Sequence, residues 1–147
     1  MYQLVDRQVG LLANDARFLL WAMRAWADAV ARRICAPQAL LPGFSTMGAQ
    51  MALPPFHMVS ALLNQHARDQ LGMAPIGCRM IAEHEAVLLS LWQDLAMARF
   101  ETADATIRLL VAETAAPQIR RAFAAASAQF AMAGLDHSQM TLEQSEA

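Results

Sequence analysis

Wherever this chain is apolar, the apolar residues recur three and four places apart, and proline or glycine separates one such run from the next. Val59, Leu62 and Leu63 keep this spacing, as do Val87, Leu88, Leu91, Trp92 and Leu95, and further on Ile119, Phe123 and Phe130. Side chains so spaced share one face of a helix, whereas a strand requires alternation. No β-branched alternating run competes, and no repeat of fixed period stands out. The pattern predicts an all-α fold: one domain of five to six helices, arranged as an antiparallel bundle or an irregular array.

Punctuation residues place the elements. Asn14 or Asp15 caps a first long helix over about 15–35, with Pro37 beyond its end. Gly43, then Ser45 or Thr46 as a cap, introduce a short helix before Pro54 and Pro55, which open a third helix over about 55–71 that stops at Gly72. The fourth, about 82–98, has Glu83 and Glu85 in its first turn, although Met80 and Ile81 stand where a capping side chain is expected. A fifth covers about 103–113 with Ile107, Leu110 and Val111, and a sixth starts at Thr114 and Pro117 and ends at Gly134. The division expected is an N-terminal arm at 1–13, a helical domain at 14–135 and a flexible C-terminal tail at 136–147, where DHSQMTLEQSEA has little to bury.

Of the 147 residues, 56% are hydrophobic, but much of this is alanine, which favours helix and contributes little buried area. Runs such as VLLSLW fall far short of the roughly 20 residues needed to cross a bilayer, so no membrane span is expected. MYQLVDRQVGLL lacks the pattern of a secretory signal, which predicts a cytoplasmic protein. Cys35 and Cys78 form no disulfide framework and are expected as small buried thiols. All 11 basic residues are arginine, consistent with GC-rich coding, and the net charge of −2 offers nucleic acid no general attraction.

The segment RFLLWAMRAWADAVARR raises the sharpest functional expectation. On a helical wheel Leu19, Met23, Trp26, Val30 and Ile34 fall within about 80°, which marks the core face. Arg17, Trp21, Arg24, Asp28 and Arg32 occupy the opposite sector, so Trp21 stands among charges. Either it is shielded by its own neighbours Arg17 and Arg24, or by the N-terminal arm, or it belongs to a protein interface, where Trp and Arg are enriched. The leading expectation is a non-enzymatic interaction module, a homodimer or an accessory subunit, contacting its partner through Arg17, Trp21, Arg24, Asp28 and Arg32. Met47, Met51 and Met58 either extend an adaptable apolar surface or fill gaps in the core.

Two further readings come from other classes. The first is a metal- or cofactor-binding helical protein: His66 and His84 fall on the apolar sides of consecutive helices and Cys78 lies between them, a set that can ligate zinc with Glu83 or Glu85 as an oxygen donor, or hold a haem. The same histidines can instead bond a backbone carbonyl or Asp69. A Cys-His nucleophile pair has no local signature to support it. No cofactor is otherwise implied, and the third reading is a small apolar ligand held between methionine- and aromatic-lined helices. Arg32-Arg33 and Arg120-Arg121 extend into no basic stripe, and neither GxxxxGK[ST] nor GxSxG occurs.

LLWAMRAWADA, a proline-rich loop, APIGCRMIAEHEAVLLSL and an alanine-rich helix ending in MAGL follow one another in an order that resembles small uncharacterised all-helical proteins of GC-rich bacteria, over roughly residues 15–135. The resemblance implies an all-α fold and carries no activity and no functional residue with it.

Overall fold

The computed structural model describes residues 4–142, and over them the helical spacing becomes six α-helices: α1 (Asn14–Ala31), α2 (Ala36–Thr46), α3 (Leu53–His66), α4 (Glu83–Ala96), α5 (Phe100–Leu110) and α6 (Ala116–Met132). No strand forms among the described residues, only the isolated bridges Gln8 to Met80, Leu12 to Thr141 and Ala67 to Val111. The chain is a single all-α domain. Helix α3 packs most extensively on α6, α1 on α2, and α4 on α5, while α1 also reaches α3 and α4.

Aromatic residues from four helices join these pairs. Phe130 of α6 lies 6.1 Å from Phe44 of α2, 6.2 Å from Phe56 of α3 and 5.6 Å from Trp92 of α4, measured between ring centroids, and Trp92 meets Phe123 at 4.8 Å. All five rings are buried. Offset and edge-on ring pairs at these separations add to the gain from burying their area.

Four helices end in the same backbone motif. After α1, α2, α4 and α6 one residue takes a left-handed conformation, at Arg33 (φ 58°), Gly48 (φ 68°), Ala98 (φ 59°) and Gly134 (φ 87°). The next amide reaches five residues back: Ile34 N–H donates to Ala29 O, Ala49 to Phe44, Arg99 to Asp94 and Leu135 to Phe130. This is the Schellman arrangement, which satisfies carbonyls a helix end leaves open. It ends α1 at Ala31 and α4 at Ala96, before the expected boundaries.

Other expectations are corrected. Pro37 does not only follow α1; it sits in the first turn of α2, which runs through Pro42 and Gly43 where a loop was expected. Asn14 and Asp15 do not cap α1, whose N-cap is Ala13. The Asp15 carboxylate instead accepts the Asp136 N–H at 2.7 Å. That contact belongs to the expected flexible tail, which over 136–142 is docked: His137 and Met140 are buried, Met140 O accepts the Ala13 N–H at 2.8 Å, and His137 Nε2 lies 3.2 Å from Asp15 O. Residues 143–147 of that tail lie outside the described residues. Residues 1–3 of the expected arm lie outside the described residues; over 4–13 it folds on its own chain, burying Leu4 and Leu12 and pairing with the segment before α4 through Asp6 N–H to Ile81 O, Ile81 N–H to Arg7 O and Val9 N–H to Arg79 O. Cys35 is exposed and Cys78 half-buried, not the buried thiols expected.

Candidate functional site

Helix α1 is enclosed by α2, α3 and α4, so a single apolar face does not describe it. Leu19, Met23 and Trp26 are buried as the wheel predicts, but so are Leu20, Ala22, Arg24 and Ala25. Val30 and Ile34, expected inside, are 41% and 47% exposed because the last turn is left uncovered.

The expected contact surface comes apart along this helix. Trp21 is half-buried between helices: its ring stacks on Phe18 at 5.7 Å, and Phe18 meets Phe44 edge-on at 5.0 Å. Gly43 of α2 lies directly against the indole, so a Cβ there would collide with Cη2 and sit 2.7 Å from Cζ3. Phe18 and Gly43 supply this packing. Arg17 is exposed and donates to Leu12 O at 3.1 Å, and Asp28 and Arg32 form an exposed pair at 3.3 Å, one helical turn apart.

Arg24 is 3% exposed and enters the interior. Its Nε and Nη2 donate to Glu85 Oε2 and Oε1 at 2.7 and 2.8 Å, a bidentate pair. Nη1 also donates to Cys78 O at 2.7 Å and reaches Ile76 O at 3.5 Å, while Nη2 donates to Met80 O at 2.8 Å. Glu85, fully buried, further accepts the Ala74 N–H and the Ala82 N–H, each at 2.9 Å. Its reach back to the Ala82 N–H at the start of α4 supplies the acidic half of a capping box, whose other half an alanine cannot provide. Burial pushes the Glu85 carboxyl upward, but hydrogen bonds from Arg24, Ala82 and Ala74 outweigh it and hold the group below its ordinary value. The hydrogen bond to Glu85 raises Arg24 in turn, against the opposing effect of burial.

His66, Cys78 and His84 are not gathered into a ligand set. Among the described residues no three His, Cys, Asp or Glu side chains form a group that could hold a metal ion. His84 Nδ1 accepts the Gly72 N–H at 2.7 Å, the Cys78 thiol is directed at Met80 O at 3.5 Å, and His66 closes α3, where its carbonyl accepts the Ala112 N–H at 3.1 Å. Backbone groups engage the His84 ring nitrogen and the Cys78 thiol, and the Glu85 carboxylate is taken up by Arg24.

The feature that sequence reasoning did not locate is a cavity of about 470 Å³ between α1, α3, α4 and residues 67–73. Met23, Trp26, Val59, Leu63 and Leu88 form apolar walls, with Phe56 and Trp92 also lining the space. Trp26 is held in place by its Nε1–H, which donates to His57 Nδ1 at 2.9 Å. Ser60, Asn64, Asp69 and Gln70 are the polar members of the lining, and Asp69 is its sole ionisable group. A second hollow near α4 and the tail is more polar, and its charged residues Asp94 and Arg99 pair with each other at 2.9 Å. No helix among the described residues is long and apolar enough to cross a membrane. No family model, curated protein or solved structure matches the chain.

Proposed function

We propose that this protein binds a small, predominantly apolar molecule in the cleft between α1, α3 and α4. The observation that carries the reading is the 470 Å³ cavity with apolar and aromatic walls and a few polar residues. Ligand sites are commonly clefts of about 300–1,000 Å³ with that lining, and helical domains hold them between helices. At about 30 Å³ per water-sized atom the space accommodates roughly sixteen non-hydrogen atoms. Ser60 has no histidine or cysteine beside it in the lining, which favours binding over chemical turnover. The alternative of partner contact through the polar face of α1 loses support because Arg24 and much of Trp21 are committed within the chain.

Titration with N-phenyl-1-naphthylamine, a neutral dye that brightens in apolar surroundings, tests the reading. Saturable one-to-one binding is expected. Ala27→Phe, which places a ring in the cleft from an exposed-side position of α1, should abolish it while the circular dichroism spectrum and melting temperature hold. No saturable signal, or undiminished binding by Ala27→Phe, would overturn the proposal.

A further inference from the structure

We infer that the natural ligand of this cleft carries a cationic amine at one end, an inference that rests on the binding function proposed above. Asp69 is the sole charged residue lining the cavity, and no arginine or histidine lines it, so a ligand carboxylate or phosphate would meet one negative charge and no compensating positive one. Asp69 has no hydrogen-bond or ion-pair partner among the described residues. The neighbouring Arg68 is turned away, with Nε and Nη2 both directed at Arg108 O at 3.3 Å. Residues on both sides of Asp69 are fastened: Arg68 N–H donates to Leu110 O at 2.8 Å and Gly72 N–H to His84 Nδ1 at 2.7 Å. Asp69 is thus an exposed member of the lining, on the solvent side of the cleft, where an apolar ligand body would leave its polar end.

Trp26, Phe56 and Trp92 bring aromatic rings to the lining, which suit the apolar body of such a ligand. Ser60, Asn64 and Gln70 add neutral polar side chains to the lining, each with an oxygen that can accept an N–H. Asp69 is exposed, so the charge contribution is modest and affects selectivity more than total affinity.

Three probes sharing one body, 4-phenylbutylamine, 4-phenylbutanol and 4-phenylbutyrate, separate the head group from the cavity in isothermal titration calorimetry at neutral pH. The amine should bind about fivefold more tightly than the alcohol, and the carboxylate more weakly than either. Asp69→Asn should bring the amine to within about twofold of the alcohol while leaving the alcohol unchanged. If the alcohol binds but the amine has no advantage, or the advantage survives Asp69→Asn, the amine inference falls and the cavity reading stands. If neither amine nor alcohol binds, both fall.

Discussion

Replacing Glu85 by glutamine removes one charge and little volume, and the geometry fixes what that costs. Each carboxylate oxygen accepts two hydrogen bonds, Oε1 from Arg24 Nη2 and Ala82 N–H, Oε2 from Arg24 Nε and Ala74 N–H. Whichever way the glutamine amide is turned, its NH2 faces two donors, and the buried guanidinium loses its counter-charge. Breaking a buried pair by neutralising one partner costs about 3–5 kcal/mol. A loss of about 4 kcal/mol, with a denaturant dependence of roughly 2 kcal/mol per molar urea, lowers the unfolding midpoint by about 2 M. Urea titration at pH 7, read by tryptophan fluorescence, measures this. Glu83→Gln, exposed in the same turn, should change stability by no more than about 0.5 kcal/mol. Replacing both partners by methionine should not restore stability, although buried pairs elsewhere tolerate it, because Cys78 O, Met80 O, Ala74 N–H and Ala82 N–H would lose their side-chain partners. Acid provides a second readout. A carboxyl depressed in the folded state stabilises fully above its ordinary value of 4.5, and that stabilisation is lost as pH falls through the depressed folded value. Wild type should therefore lose more stability than Glu85→Gln below pH 4.5. A Glu85→Gln midpoint within about 0.5 M of wild type, or a double variant as stable as wild type, would refute the reasoning.

Gly43→Ala forces a methyl group into the Trp21 ring and should destabilise by about 1–3 kcal/mol, with Trp21→Leu in the same chain recovering part of the loss; thermal melts of the single and double variants decide it. Burial holds His137 below its ordinary value of 6.5, overriding Asp15 and Asp136, so stability is complete above pH 6.5 and falls with pH towards the depressed folded value. His137→Phe should remove that slope, which for one proton cannot exceed about 1.4 kcal/mol per pH unit, when unfolding is measured from pH 7.5 to 5. Ala98→Gly should raise stability by up to about 1 kcal/mol in urea titrations, because alanine is strained at φ 59° and glycine is not.

Helical spacing announced most of the elements because burying an apolar face imposes it. The ends of α1 and α4 were not legible, since Arg33 and Ala98 occupy left-handed positions where glycine would have signalled a stop. Helix α2 was obscured for the opposite reason: Pro42 and Gly43 read as a loop, although Gly43 is where Trp21 approaches. Arg24 misled the wheel because periodicity records polarity and not whether a buried acceptor set awaits it. Glu85, 61 residues away, and three carbonyls of an irregular segment form that set, and no local pattern discloses them. Residues 136–142 of the tail were misread likewise, their low apolar content concealing that His137 and Met140 each find a buried position. For the cleft, Met23, Trp26, Val59 and Leu63 were recognisable as apolar helix positions, but whether such residues meet or leave a gap depends on the tertiary arrangement.

The ionic cluster and the cleft are connected through residues 67–82. At one end this segment is tied to the C-terminal end of α5 by Arg68 N–H to Leu110 O and by Ala112 N–H to His66 O. At the other, Glu85 accepts the Ala74 N–H and Arg24 gathers the carbonyls of Ile76, Cys78 and Met80. Leu71 and Met73, which lie between these anchors, face the cleft across from α1 and α3. Backbone hydrogen bonds to a buried arginine and glutamate determine the segment's course, which leaves the space between α1 and α3 open. For the ligand proposed here, that division of labour sets the wall in advance, so binding need not bear the full entropic cost of ordering it.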